Sequence, residues 1–481
     1  MYKRDVDYCS GAFLLTKSEL FLEDGGFDED YSPAYYEETD YCVRLWERGM
    51  RVVYDPNAVI FHYEFASSSS QSSAIDLQIE HRKLFASKHE DWLKSQCAAT
   101  LGILAARSHR RKGQRRILLF DDRVPHMTLG AGFPRCNRIL RELVNLGHAV
   151  TFYPILWPQE DWSDVYRDIP SEVEVMLDQG SERLTEFLTQ RRDYYDVIIV
   201  SRPHNMAYFT SLLSENPNIR GRAKVIYDAE ALHSYREIEQ RRLEGQVLTA
   251  VEQAQLIREE VSLAENCDGI VSVSDKESRE FFKHGFESVH TLGYSIEIAL
   301  TRNSFEARND FLFVGAINSD DSPNADSIIW FGEQILPLVQ ESLGEEVKLM
   351  VAGLICHGFR TRIKHNSVQF LGKVDDLTPL YNQARLFVAP TRFAAGLPHK
   401  VCEAAAYGLP IVATSLVGLQ LGWDNERELL LADDPQSFAD ACLRLYTDRS
   451  LWYLLRDNVI KRASEDFSPE EFSQQLKRIV E

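Results

Sequence analysis

Residues 386–418 read LFVAPTRFAAGLPHKVCEAAAYGLPIVATSLVG. The stretch decides how the rest of the chain is read. Leu386–Ala389 is a short apolar run of the kind that forms a strand buried on both faces. A loop with Gly396 follows, then a helical segment around Lys400–Tyr407 that the pattern starts near Gly396, then a second strand at Ile411–Ala413. Strand, glycine loop, helix, strand is a βαβ unit, which is parallel and right-handed. Ligands of such sheets bind beyond the carboxyl ends of the strands. Arg392 and Lys400 would flank the N-terminus of the helix, where free amides and the dipole favour an anion. Arg offers a fork of donors to phosphate and Lys a mobile point charge. Glu403 is placed to accept from ribose or sugar hydroxyls. The bland alternative is a helix entry with one solvated Lys–Glu pair.

The same texture extends outward from this unit. Three more runs precede it, Phe311–Val314, Lys348–Val351 and Val368–Phe370, and with Leu386–Ala389 and Ile411–Ala413 they make a set of five. An earlier set comprises Ile117–Phe120, Ala149–Tyr153, Val197–Val200, Val225–Tyr227 and Gly269–Val273. Two sets of five, separated near Arg302–Asn309, predict an α/β protein of two Rossmann-like domains facing each other. On the first sheet the turn after Ile117–Phe120 carries Gly130 and Gly132 before an amphipathic helix with Arg135. Such glycines let a ligand approach the backbone or serve the turn alone. His204 and His233 each follow a strand, with Asp228 and Glu230 upstream of His233 placed to orient it or a substrate. Arg202 and Arg236 add positive charge to that rim. A lone histidine is more often structural, but both lie where this architecture binds ligands.

Composition sets the outer limits. The 481 residues include 53 Lys and Arg against 73 Asp and Glu, a net charge of −20, with 44% hydrophobic and 11% aromatic residues. The chain can bury several cores, and its acidity argues against a nucleic-acid binder. The longest apolar stretch, near Ala98–Ala106, is too short to span a membrane. Eight scattered cysteines form no metal-ligand spacing, and suit a reducing, cytoplasmic setting. Residues 1–98 are rich in aromatics and acids, and the basic stretch Ser108–Arg116 reads as a linker.

These residues resemble the family 4 glycosyltransferases over 116–481. The resemblance rests on VPHMTLGAG, YDVIIVSRPH, VIYDAEALHSYRE, FLFVGAINSDDSPNADSIIWF and, most specifically, RFAAGLPHKVCEAAAYGLPIVATS. It implies a GT-B fold, with residues 116–303 as the acceptor-side domain and 304–466 as the nucleotide-sugar domain. The closing helix 467–481 would pack back onto the first domain. It also implies retaining transfer from a nucleoside-diphosphate sugar, without metal or other cofactor. Arg392, Gly396, Lys400, Glu403 and Gly315 then belong to the donor side, and Gly130, Gly132, His204 and Asp228 to the acceptor side. His233, Lys400, Arg392 and Glu403 are the catalytic candidates. The pattern departs from the family at Ala395, where the first glutamate of E-x7-E would stand. It departs again in GAINSDDSPN, which lacks the usual cations, and at Pro398, where a related branch has lysine.

Residues 1 to about 90 resemble the C-terminal half of a family 2, GT-A-type glycosyltransferase, through VDYCSGAFLLTKSEL and GGFDEDYSPAYYEETDYCVRLWERGMRVVYDPNAVIFH. There the acidic motif matching Glu38 and Asp40 includes a catalytic base. The nucleotide-binding half is not in the sequence, so a fragment or a degenerate domain without activity of its own is expected, with residues 99–115 as linker. The expected partners are a nucleotide sugar and a glycan or lipid-linked glycan acceptor of surface polysaccharide synthesis, not nucleic acid. Peripheral contact with the inner face of a membrane is compatible with this reading, and Arg107–Arg116 is the one basic patch available for it. A nucleotide-sugar epimerase and a degenerate nucleotide-sugar-binding scaffold are the alternatives.

Overall fold

The computed structural model describes residues 2–62, 71–96, 113–130, 132–344, 346–363 and 365–481. Most of the linker and the serine-rich turn expected from the sequence lie outside the described residues.

Two parallel sheets dominate. The first runs β5-β4-β3-β6-β7-β8-β9, from β3 (Arg116–Arg123), β4 (Ala149–Trp157), β5 (Glu174–Val175), β6 (Val197–Ser201), β7 (Lys224–Glu230), β8 (Gly269–Ser272) and β9 (Val289–Thr291). The second runs β12-β11-β10-β13-β14-β15, from β10 (Asn309–Val314), β11 (Leu349–Ala352), β12 (Val368–Gly372), β13 (Ala384–Ala389), β14 (Ile411–Ala413) and β15 (Leu430–Leu431). All ten expected runs are strands. The sets of five are corrected to seven and six by β5, β9 and β15, two- or three-residue edge strands too short to leave an apolar run. Central strands such as β3 are buried almost throughout, because helices cover both faces of each sheet.

Each sheet therefore has two cores. Ile117, Leu119, Ile139 and Leu143 pack on one face of the first sheet, and Leu118, Phe120, Phe209 and Tyr227 on the other. Phe311, Phe331 and Trp452 fill one face of the second, and Leu312, Phe387, Val401 and Val459 the other. The chain ends with helix Arg449–Asp466 on the second sheet, then helix Pro469–Val480, capped by Ser468. Phe472, Leu476, Ile479 and Val480 join the Ile117–Leu143 core, so the last helix lies on the first domain. Each such side chain contributes about 1.5–3 kcal/mol of transfer free energy before entropy is subtracted.

The N-terminal segment is built on a short antiparallel pair, β1 (Arg4–Asp5) with β2 (Val53–Tyr54), and helices Glu37–Glu47 and Gln71–Lys88. Its small cores centre on Tyr41 and Cys42 and on Tyr31 and Phe85. The Lys3 amide donates to the Ser171 carbonyl at 2.7 Å. Among the described residues no helix is long and apolar enough to cross a membrane.

Candidate active site

The loop after β13 meets the turn after β10 on the second sheet. Helix His399–Ala406 begins three residues later than the sequence suggests, because Gly396 is in the left-handed region (φ +71°) and Pro398 precedes the first turn. No side chain caps its N-terminus, which leaves its first amides to solvent or an anion. Lys400 donates from Nζ to Asn324 Oδ1 at 2.7 Å and lies 4.1 Å from the centroid of the Phe313 ring. Burial pushes its ammonium down to about 7. Asn324 is held in turn, donating from Nδ2 to the Ala316 carbonyl at 2.7 Å. Gly315 is needed here, since a Cβ would stand 2.8 Å from Asn324 Nδ2.

Arg392 is differently employed from what the sequence suggests. Its Nε donates to Asp326 Oδ2 at 2.9 Å and its Nη2 contacts Asp326 Oδ1, with the guanidinium over Trp330. A bidentate carboxylate partner holds it on helix Pro323–Trp330 rather than free beside Lys400. Glu403 accepts from Tyr381 Oη at 2.9 Å, and burial raises its carboxyl above the usual range. Tyr381 is itself stacked on Tyr407 at 4.4 Å.

On the first sheet the strand ends converge on a buried charge network. Arg202 donates from Nε to Asp121 Oδ1 at 2.6 Å and pairs through Nη1 with Glu230 Oε2 at 3.0 Å. Arg135 pairs with Asp228 at 2.8 Å and donates to the Leu292 carbonyl at 3.0 Å. His204 Nε2 lies 2.6 Å from Asp122 Oδ1. Arg202 and Glu230 both hold positive φ, +78° and +57°, a strained conformation for a side chain with a Cβ. Burial drives Glu230 up to about 8 against the pull of Arg202. The glycine loop has a definite task here: a Cβ on Gly132 would stand 1.2 Å from Glu230 Oε1, whereas one on Gly130 would meet nothing.

Two expectations on this side are corrected. Asp228 does not orient His233: Arg135 and Ser201 Oγ both donate to its Oδ2, and its Oδ1 is buried with no partner among the described residues. Nor does Glu230, which is held by Arg202. The His233 and Ser234 amides instead donate to the two oxygens of Glu260, at 2.7 and 2.8 Å, so a carboxylate already fills that helix N-terminus. His233 is an exposed residue at the helix start, but the surrounding protein still desolvates its ring and lowers its basicity, with Glu260 opposing the effect and Arg236, Arg202 and His204 adding to it.

The two sides touch. A Cβ on Gly396 would come 3.0 Å from Ala231 Cβ, Tyr294 Oη donates to the Leu397 carbonyl at 3.4 Å, and the Arg236 guanidinium lies 5.9 Å from the Phe393 ring. Lys400 and Gly315 thus meet at Asn324, with Gly396 in the loop before the helix and Glu403 one turn along it on Tyr381, while Gly132, Asp228 and His204 gather with Glu230 on the first sheet. Sequence reasoning missed Asn324, Asp326, Tyr381 and Glu260, polar residues on elements remote in the chain from their partners. Among the described residues no three His, Cys, Asp or Glu side chains are grouped to hold a metal ion.

The N-terminal acidic motif is split. Asp40 is buried, accepting from Arg44 Nε at 2.9 Å and lying 2.7 Å from His89 Nε2, so it is a structural anchor. Among the described residues Glu38 accepts from the Gly11 amide at 3.4 Å, and its Oε2 has no partner there.

Two facing parallel sheets with a C-terminal helix returning to the first define a GT-B fold. Solved structures agree. Anabaena HepE in complex with UDP-glucose is 16% identical, with 76% of this chain and 99% of that one covered and a TM-score of 0.54. TarM, known also from an S. aureus mutant complex with UDP, is 9% identical, with 76% and 98% covered and a TM-score of 0.58. Residues 308–448 match the sequence model of the family described as glycosyl transferases group 1. The N-terminal part resembles the Mycobacterium tuberculosis N-acetylglucosaminyl-diphospho-decaprenol L-rhamnosyltransferase, 34% identical over 132 residues. That match takes in 25% of this chain and spans 42% of the mycobacterial protein. Spinach sucrose-phosphate synthase is 35% identical over 114 residues, 22% of this chain and 11% of the relative.

Proposed function

We propose that the chain is a glycosyltransferase of the family 4 type, moving a sugar from a nucleoside diphosphate to a glycan or lipid-linked glycan with retention of configuration. The observation that carries the reading is Lys400. It is a desolvated ammonium in the first turn of an uncapped helix, just after a loop that faces the other domain, within the segment matching the group 1 family. A diphosphate on this wall would meet Lys400 and the first amides of helix His399–Ala406. As the sugar–phosphate bond breaks, charge grows on the phosphate, and these donors stabilise it where it develops. Arg392 joins them by exchanging Asp326 for a phosphate oxygen. Glu403, presented by Tyr381, is set to take the ribose.

The acceptor hydroxyl approaches from the wall of Gly130, Gly132, His204 and His233, and the departing phosphate can take its proton. Closure of the two walls excludes water that would otherwise hydrolyse the donor. The decaprenol-linked substrate in the mycobacterial relative's name and the UDP-sugar in the HepE complex support a lipid-linked acceptor and a nucleotide-sugar donor, in surface polysaccharide synthesis. The segment 1–98 contributes no transfer of its own, with Asp40 locked by Arg44 and His89. In this reading residues 116–303 with the returning helix form the acceptor-side domain and 304–466 the donor-side domain, and the transfer uses no metal.

One observation favours a second reading. Ala395 and the bound state of Arg392 leave the donor wall with fewer charges than a transferase of this kind usually has, as a nucleotide-sugar-binding scaffold would. Thermal unfolding against UDP, GDP, dTDP and ADP tests the site, since a ligand bound by the native state raises the midpoint. One nucleotide raising it, with the effect unchanged by EDTA and lost in Lys400→Ala, supports the donor wall. No response to any of them rejects it.

A further inference from the structure

A cavity of about 260 Å³ lies between the domains, lined on the second by the 394–396 loop. Its walls come from helices His233–Leu243, Ala250–Val261 and Asp275–Lys283 of the first domain, and from the loop and helix Ser415–Leu421 of the second. Neither Lys400 nor Asn324 lines it. The space is slightly below the roughly 300 Å³ of the smallest drug-sized pockets, enough for one sugar ring and too small for a nucleotide. Ala395 keeps it open where a longer side chain would enter.

Among the described residues two polar atoms on its walls have no hydrogen-bond partner, Glu277 Oε2 and Gln420 Oε1, on residues 4% and 9% exposed, although the Gly396 amide also favours the charged form of Glu277. The other Glu277 oxygen accepts from the Leu232 amide at 3.1 Å, which fixes the carboxyl in place. A buried polar atom without a partner is costly. Gln420 Oε1 accepts, and Glu277, pushed up to about 7 by burial, accepts when ionised and donates when protonated, so a group that both donates and accepts, such as a hydroxyl, suits the pair. Ile238, Ile257 and Leu416 supply apolar wall, and Lys276 is turned over the Tyr235 ring at 5.0 Å. A wall that is part polar and part apolar matches the hydroxyls and C–H face of a pyranose.

We propose that this cavity binds one neutral sugar ring, with hydroxyls donating to Gln420 Oε1 and Glu277 Oε2. It is a carbohydrate subsite separate from the nucleotide wall. The inference rests on the transferase reading for what the bound sugar is for, a unit of the acceptor glycan, and not for whether it binds.

The test is saturation-transfer NMR on the full chain with D-glucose, D-galactose, N-acetyl-D-glucosamine and L-rhamnose, each at millimolar concentration. At least one sugar takes up saturation from the wild type. Gln420→Leu, which keeps the shape, and Glu277→Gln, which puts a donor where an acceptor stood, each weaken that sugar about tenfold, as expected for one lost hydrogen bond. Leu416→Trp, which fills the cavity, abolishes the signal and guards against a Glu277 variant that does not fold. No saturation of any of the four sugars in the wild type, as for a cavity holding only water, overturns the proposal. So does equal saturation in the three variants. Nucleotide stabilisation measured on the same samples separates the two readings: its absence beside an intact, Gln420-dependent sugar signal rejects the donor wall and not this site.

Discussion

The pH dependence of nucleotide binding follows from the position of Lys400. With its ammonium held at about 7 by burial, the free protein has Lys400 half charged near pH 7 and only about 1% charged near pH 9. A diphosphate needs the charged form and keeps it charged. Binding therefore takes up a proton, about half of one near pH 7 and about nine-tenths near pH 8, and affinity falls roughly fiftyfold from pH 7 to pH 9. Desolvation lowers the His233 side chain from its ordinary value, away from this range. Glu230, at about 8, titrates within it, so a control must keep Glu230 and change only Lys400. Lys400→Arg does this, because a guanidinium stays charged throughout. Isothermal titration of UDP, or of whichever nucleotide stabilises the chain, in buffers of different ionisation enthalpy reads both affinity and proton uptake. The expected result is a steep decline in the wild type and a shallow one in Lys400→Arg. A wild-type affinity flat from pH 7 to pH 9, or the same decline in both proteins, would refute the reasoning.

Other consequences concern stability. Gly132→Ala is expected to cost about 3 kcal/mol in urea unfolding: about 1 for the left-handed backbone, and the rest for driving the Glu230 carboxyl away from Arg202. Glu230 is raised in the folded state, to about 8, so the native chain holds more protons than the unfolded one between about pH 4.5 and 8. Stability from this group falls as pH rises through that window, and Glu230→Gln should flatten the slope of melting temperature against pH there. Asp40→Asn should cost roughly 2–3 kcal/mol, because Arg44 and His89 lose a buried anion, although Asp24 still holds Arg44 at 2.5 Å. Its effect should appear in the unfolding midpoint and leave the shift produced by the nucleotide unchanged.

The architecture was legible because parallel strands covered on both faces leave continuous apolar runs, and all ten longer strands do so. The edge strands Glu174–Val175, Val289–Thr291 and Leu430–Leu431 leave none. The loop Arg392–Lys400 was equally legible, since glycine, cations and the following helix are adjacent in the chain. What each cation does was not. Lys400 finds Asn324 and Arg392 finds Asp326, partners 76 and 66 residues away, and no local pattern shows that one arginine meets a carboxylate while the neighbouring lysine meets an amide. Gly132 shows the same limit. The sequence marks a glycine loop, but its close neighbour is Glu230, a residue on another strand. The acidic motif EETD marks a charged helix start, and only packing against His89 separates Asp40, which is anchored, from Glu38, which is not.

The most direct measurement is release of nucleoside diphosphate by the full chain from a panel of UDP-, GDP-, dTDP- and ADP-sugars, with lipid-linked glycan acceptors present, comparing wild type with Lys400→Ala. The account predicts release from one donor class, dependent on acceptor and lowered at least about a hundredfold in Lys400→Ala, as expected when a charged donor to the leaving group is removed. Tight nucleotide binding without release from any donor would contradict it and make the chain a nucleotide-sugar-binding scaffold.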